Sequence, residues 1–109
     1  MSVLERLPKG ARVCIIRLRS LGDCVLTTPA LALLHAARPD LEIAVIVEPR
    51  FAAVFEDNPA VCSLFRPEWR DVRAWRPDLC VNLHGGTRSL WMTLASGAHW
   101  RAGFAHHNF

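Results

Sequence analysis

Between Val13 and Leu18 the chain is apolar at nearly every position. At Arg19-Ser20-Leu21-Gly22-Asp23 the run breaks, and a second apolar segment, Cys24 to Ala37, follows. The first run predicts a strand buried on both faces. The second predicts a helix. A strand, a glycine turn and a helix N-terminus make the ligand-binding edge of an open α/β sheet. Gly22 offers backbone angles closed to other residues. Asp23 falls where a carboxylate can cap the helix and gain from its dipole.

The rest of the chain repeats the alternation. Pattern and turn residues predict strands at Val13–Leu18, Glu42–Val47, Val61–Phe65, Leu79–Leu83 and Trp100–Phe104. Between them they predict helices at Asp23–Ala37, Phe51–Glu56, Glu68–Trp75 and Arg88–Ser96, the last capped by Thr87 and stopped by Gly97. Pro29 lies inside the first helix. Either the helix kinks there, or Thr28 caps it and Pro29 is its first residue. The kinked form fits better, because Leu26, Ala30, Leu33 and Ala37 then hold one face throughout. Arg70, Arg73 and Arg76 share one side of the third helix, as a solvated face does, while Trp69 and Val72 lie off it. Five strands alternating with helices imply a three-layer, Rossmann-like parallel sheet. With strand order 3-2-1-4-5, strands one and four are neighbours at the switch point. The Ser20–Asp23 turn then shares a crevice with the turn His84-Gly85-Gly86-Thr87-Arg88.

Composition narrows the function. At 109 residues, 51% hydrophobic and 21% charged, the chain fits one folded domain. A formal charge of +3 permits anionic ligands without demanding nucleic acid, and no nucleic-acid-binding motif occurs. Cys14, Cys24, Cys62 and Cys80 form no CxxC pair, so reduced and buried cysteines in a cytoplasmic protein are expected. No leader or membrane span is visible, since charges run through the first residues and the least charged stretch contains two threonines, a proline and a histidine. His106 and His107 lack a third ligand at metal spacing, so no metal is expected.

The familiar phosphate motifs are absent. There is no GxxxxGK[ST], and after strand one there is no GxGxxG; Glu48 at the end of strand two is then a weak match to a ribose-binding acid. No cofactor is expected. Asp23 has two readings, a helix cap or a general base taking a proton from a sugar hydroxyl. His84 is a polar contact or a strand-end histidine bonded to backbone. Arg17, Arg19 and Arg88 have the forked donors that hold phosphates or carboxylates, and each alone also reads as an ordinary surface arginine.

Three blocks, RLRSLGDCVLTTPAL, VEPRFAAVFEDNPAV and DLCVNLHGGTRSLWMTLASGAHWRAGF, resemble in that order the N-terminal half of glycosyltransferase family nine, the heptosyltransferases of lipopolysaccharide core assembly. The likeness spans about Arg12 to Phe104. It implies a GT-B enzyme of two Rossmann-like halves, with residues 1–109 as an incomplete N-terminal acceptor-binding domain. The implied reaction is inverting, metal-free transfer of heptose from ADP-heptose to a lipid-linked Kdo- or heptose-bearing acceptor. The resemblance makes Asp23 the catalytic base and Arg88 an acceptor contact; Ser20, Gly22, His84 and Gly85 complete the expected substrate-binding crevice. Asn82 stands where the family commonly has an acid. The donor half, with its aspartate–glycine–histidine motif, is not in this sequence, so the chain alone is expected to be inactive. The implied location is cytoplasmic, with peripheral contact at the inner membrane face. The competing expectation is a non-catalytic half-domain that binds an anionic sugar or nucleotide.

Overall fold

The computed structural model describes residues 3–17, 21–83, 96–98 and 100–103. Five strands, β1 (Arg12–Ile16), β2 (Glu42–Ile46), β3 (Ser63–Phe65), β4 (Leu79–Asn82) and β5 (Trp100–Gly103), form one sheet in the order β3-β2-β1-β4-β5. Every neighbouring pair is parallel. The described helices are α1 (Val3–Arg6), α2 (Leu21–Ala37) and α3 (Trp69–Trp75), with a 3₁₀ helix at Pro49–Val54. The architecture and strand order are those the alternation predicts.

The central strand explains the layering. Val13, Cys14, Ile15 and Ile16 are all buried, as in a strand covered on both faces. Val13 and Ile15 pack with Ile43, Val45, Leu31 and Phe55 under α2 and the 3₁₀ helix. Cys14 and Ile16 pack with Ile46, Cys80 and Val72 of α3 on the opposite face. Cys14 and Cys80 are register partners on β1 and β4. A hydrogen bond with Cys80 and burial push the Cys14 thiol well up, so it stays an inert apolar filler. All four cysteines are free, but Cys62 is exposed and precedes β3, which corrects its expected burial in a strand.

α2 starts earlier than expected and, as the favoured reading has it, runs through its proline. It begins at Leu21 and continues through Pro29. Proline has no N–H for the carbonyl of Val25. The Thr28 hydroxyl donates to that carbonyl at 2.8 Å, and the Thr27 hydroxyl donates to the carbonyl of Asp23 at 2.8 Å. Thr28 therefore supports the helix from within and does not cap it. The face on the sheet is Cys24, Thr27, Leu31 and partly Leu34, whereas Leu26, Ala30, Leu33 and Ala37 face outward.

Smaller differences follow local chemistry. Pro49, with its fixed φ, opens the second helical segment earlier than expected and as 3₁₀. β1 ends two residues before the expected Leu18. Val72 anchors α3 to the sheet while Arg70, Arg73 and Arg76 are exposed, so the arginine row is a solvated face. Gly97 has φ +75°, the left-handed conformation expected of a helix stop, though the predicted helix Arg88–Ser96 before it lies outside the described residues apart from Ser96.

Candidate functional site

At the C-terminal ends of the strands, β1 is flanked on both sides. The Arg17 N–H donates to the Ile46 carbonyl at the end of β2, and the Leu83 N–H donates to the Ile16 carbonyl. The chain therefore leaves β1 and β4 side by side, at the switch point where open α/β sheets bind ligands. The crevice predicted from strand order rests on this adjacency. Of the expected site residues, Gly22 and Asp23 are described; Ser20, His84, Gly85 and Arg88 lie outside the described residues.

Gly22 sits within the first turn of α2 and does not have a positive φ, so the turn does not need its special angles. A Cβ built there meets nothing within 4 Å among the described residues.

Asp23 is also inside the first turn, so it is not the N-cap residue that the sequence suggests. There it lies in the positive end of the helix dipole. Its carboxylate is half-exposed, 52%, and its ion pair with Arg17 is loose: Arg17 Nη2 to Asp23 Oδ1 at 3.7 Å. Arg17 is more buried, 17% exposed. Its Nη1 donates to the Leu83 carbonyl at the end of β4. Its Nε is buried with no hydrogen-bond partner among the described residues. Arg17 was expected either as a phosphate or carboxylate contact or as a surface arginine. Instead its guanidinium turns inward and links the end of β4 to the first turn of α2. The sequence signal for this is a charged residue closing an otherwise apolar strand.

Cys24, next in the helix, is fully buried. Burial pushes its thiol up; Arg17 opposes and Asp23 adds to the shift. A thiol held protonated is no nucleophile. Glu48, the weak ribose-acid candidate, pairs with Arg50 at 3.3 Å. Asn82 is buried on β4. An apolar cavity of about 290 Å³ runs beside α2, lined by residues such as Ile15, Leu31, Leu79 and Val81. Thr27 is the polar residue in that lining, too little to orient a sugar. Among the described residues no cluster could hold a metal ion, and no helix is long and apolar enough to cross a membrane.

The open parallel sheet with a carboxylate at its switch point belongs to the Rossmann-like class of binding domains. No protein-family model matches the chain, and no curated protein matches it. Solved structures do. A glycosyl transferase family 9 structure from Veillonella parvula matches with a TM-score of 0.80 and 25% identity, over 86% of this chain and 32% of that one. Escherichia coli heptosyltransferase WaaC with ADP matches with a TM-score of 0.73 and 24% identity, over 84% of this chain and 34% of that one. The same enzyme with ADP-2-deoxy-2-fluoro heptose gives a TM-score of 0.67 at 24% identity, over 84% of this chain and 36% of that one. The chain thus has a glycosyltransferase-like fold, similar to part of a family-nine enzyme. It spans about a third of the length of the structures it matches.

Proposed function

We propose that the chain is the N-terminal, acceptor-binding domain of a heptosyltransferase-like inverting glycosyltransferase of GT-B architecture, with Asp23 as general base. The observation that carries this reading is a half-exposed carboxylate at the switch point of a sheet shared with family-nine glycosyltransferases. As the acceptor hydroxyl attacks the anomeric carbon of the sugar, its proton passes to the Asp23 carboxylate. The new C–O bond forms on the face opposite the departing nucleotide, whose bond to the sugar breaks, and the configuration inverts. Arg17, braced on the Leu83 carbonyl, keeps the carboxylate at the mouth of the crevice. Ser20, Gly22, His84, Gly85 and Arg88 contact the acceptor, a lipid-linked Kdo or heptose.

The matched WaaC structures contain ADP or an ADP-heptose analogue. In this reading ADP-heptose is the donor, held by the part of the enzyme that this chain does not span. The enzyme works in the cytoplasm against the inner membrane face, where a lipid-linked acceptor is presented.

The test is Asp23→Asn in a longer protein that carries this domain, with ADP release followed against a Kdo-terminated acceptor. Asparagine keeps the shape but cannot take the proton. kcat should fall by roughly 10²–10⁴, with little change in the acceptor KM. Near-normal turnover in a folded Asp23→Asn protein would remove Asp23 from the chemistry.

A further inference from the structure

Arg17 sits where three elements end or begin. Its backbone N–H donates to the Ile46 carbonyl at the end of β2. Its Nη1 donates to the Leu83 carbonyl just past β4, and its Nη2 stands 3.7 Å from Asp23 in the first turn of α2. The side chain is largely buried, and its Nε has no hydrogen-bond partner among the described residues. For stability this is a poor use of an arginine. A buried donor left unmet is unfavourable by more than a loose pair with a half-exposed carboxylate returns. An apolar side chain of similar length would fill the space without stranding a donor. Arg38 shows what a stabilising arginine looks like in this fold: its Nε and Nη2 meet the two carboxylate oxygens of Asp40 at 2.9 and 2.8 Å. An unmet buried donor in a native fold calls for a reason other than stability.

We propose that Arg17 is a positioning residue that the fold does not need and the reaction does: it spans the end of β4 and the start of α2, acts on the chemistry only through Asp23, and does not touch substrate. The proposal rests on the reading of Asp23 as general base. Two of the three guanidinium nitrogens are turned away from the crevice, since Nε is buried and Nη1 is committed to Leu83. That leaves Nη2, on the Asp23 side. The planar fork fixes the angle between the Leu83 bond and the Asp23 contact. Lysine, a point charge on a flexible stem, can meet one of the two partners but cannot set their relation. Without that guide the half-exposed carboxylate is free to turn toward water. A reacting group misplaced by about 1 Å loses on the order of 10²-fold in rate.

Unfolding and kinetics together read it out. In the 109-residue chain, Arg17→Met should leave the circular dichroism intact and the urea midpoint unchanged or raised. In a longer protein that carries this domain, Arg17→Lys and Arg17→Met should each lower kcat on the order of 10²-fold with the acceptor KM unchanged. Added to Asp23→Asn, neither should lower kcat further, because a residue that acts through the base then has nothing left to aim. A clear fall in the urea midpoint with Arg17→Met would make Arg17 a structural tie. A raised KM with kcat kept would make it an acceptor contact, and a further loss on top of Asp23→Asn would give it a role of its own; each of these overturns the proposal. Near-normal turnover of Asp23→Asn alone removes the general-base reading and the proposal with it. A large loss in Asp23→Asn beside normal turnover in both Arg17 variants removes the proposal and leaves the base in place.

Discussion

At the N-terminal end of the sheet the ionic side chains are tied closely to one another and to the backbone; at the C-terminal end Arg17 is tied to the backbone but holds Asp23 only loosely. Arg38 grips Asp40 with two parallel bonds, Nε to Oδ1 at 2.9 Å and Nη2 to Oδ2 at 2.8 Å, and also reaches the carbonyls of Leu7 and Pro8. The Gly10 N–H donates to the same carboxylate. Asp78 accepts from the Arg12 N–H at 2.8 Å, while its own N–H donates to the Arg12 carbonyl. Arg12 adds bonds to Glu42 and the Trp75 carbonyl and lies over the Trp75 ring. At the other end the Arg17–Asp23 pair stands 3.7 Å apart, and the buried Arg17 Nε has no hydrogen-bond partner among the described residues. One end closes the fold, and the other leaves hydrogen-bonding capacity for something else. In open α/β sheets the second kind of end is where ligands bind.

Breaking the closed end should have the largest effect. Asp78→Ala removes the acceptor from the part-buried Arg12 N–H. Stability should fall by about 1–3 kcal/mol, the cost of stranding such a donor, as read by urea unfolding. A loss within error would mean that the closed end is not what holds the sheet edge. The next effect is confined to acid. The Arg38 bonds, with the Gly10 N–H, hold the Asp40 carboxyl well below the usual carboxylate range. The unfolded chain, with its carboxyl near ~3.9, then binds the proton first. The contribution of Asp40 is full above that pH and is lost as pH falls toward the folded value. Asp40→Asn should therefore flatten the decline of the melting temperature below about pH 4. An unchanged acid limb would show that other carboxylates govern it.

The sequence carried the architecture well, because alternation of apolar runs and turn residues leaves few ways to arrange five parallel strands. It left the facing of α2 open for a physical reason. Cys24, Thr27, Leu31 and Leu34 keep helical spacing as well as Leu26, Ala30, Leu33 and Ala37 do, so periodicity alone cannot say which set meets the sheet. Thr27 goes inside because its hydroxyl is bonded to the Asp23 carbonyl, a local bond that removes the cost of burying it. Pro29 was legible as a disturbance, but the repair by Thr28 was not. At the candidate site, Asp23 was readable from its place after a strand and a turn. The inward turn of Arg17 was not, since it depends on a carbonyl 66 residues away in the chain.

The smallest expected change is at Asp23, and it bears most directly on the contrast between the two ends. In urea unfolding of the 109-residue chain at neutral pH, Asp23→Asn should cost less than ~1 kcal/mol, the scale of a loose, half-exposed ion pair near a helix start. It should also cost less than Asp78→Ala measured in the same way. A loss equal to or greater than that of Asp78→Ala would make Asp23 a structural tie like those at the opposite end, and would contradict its assignment as a carboxylate held free for chemistry.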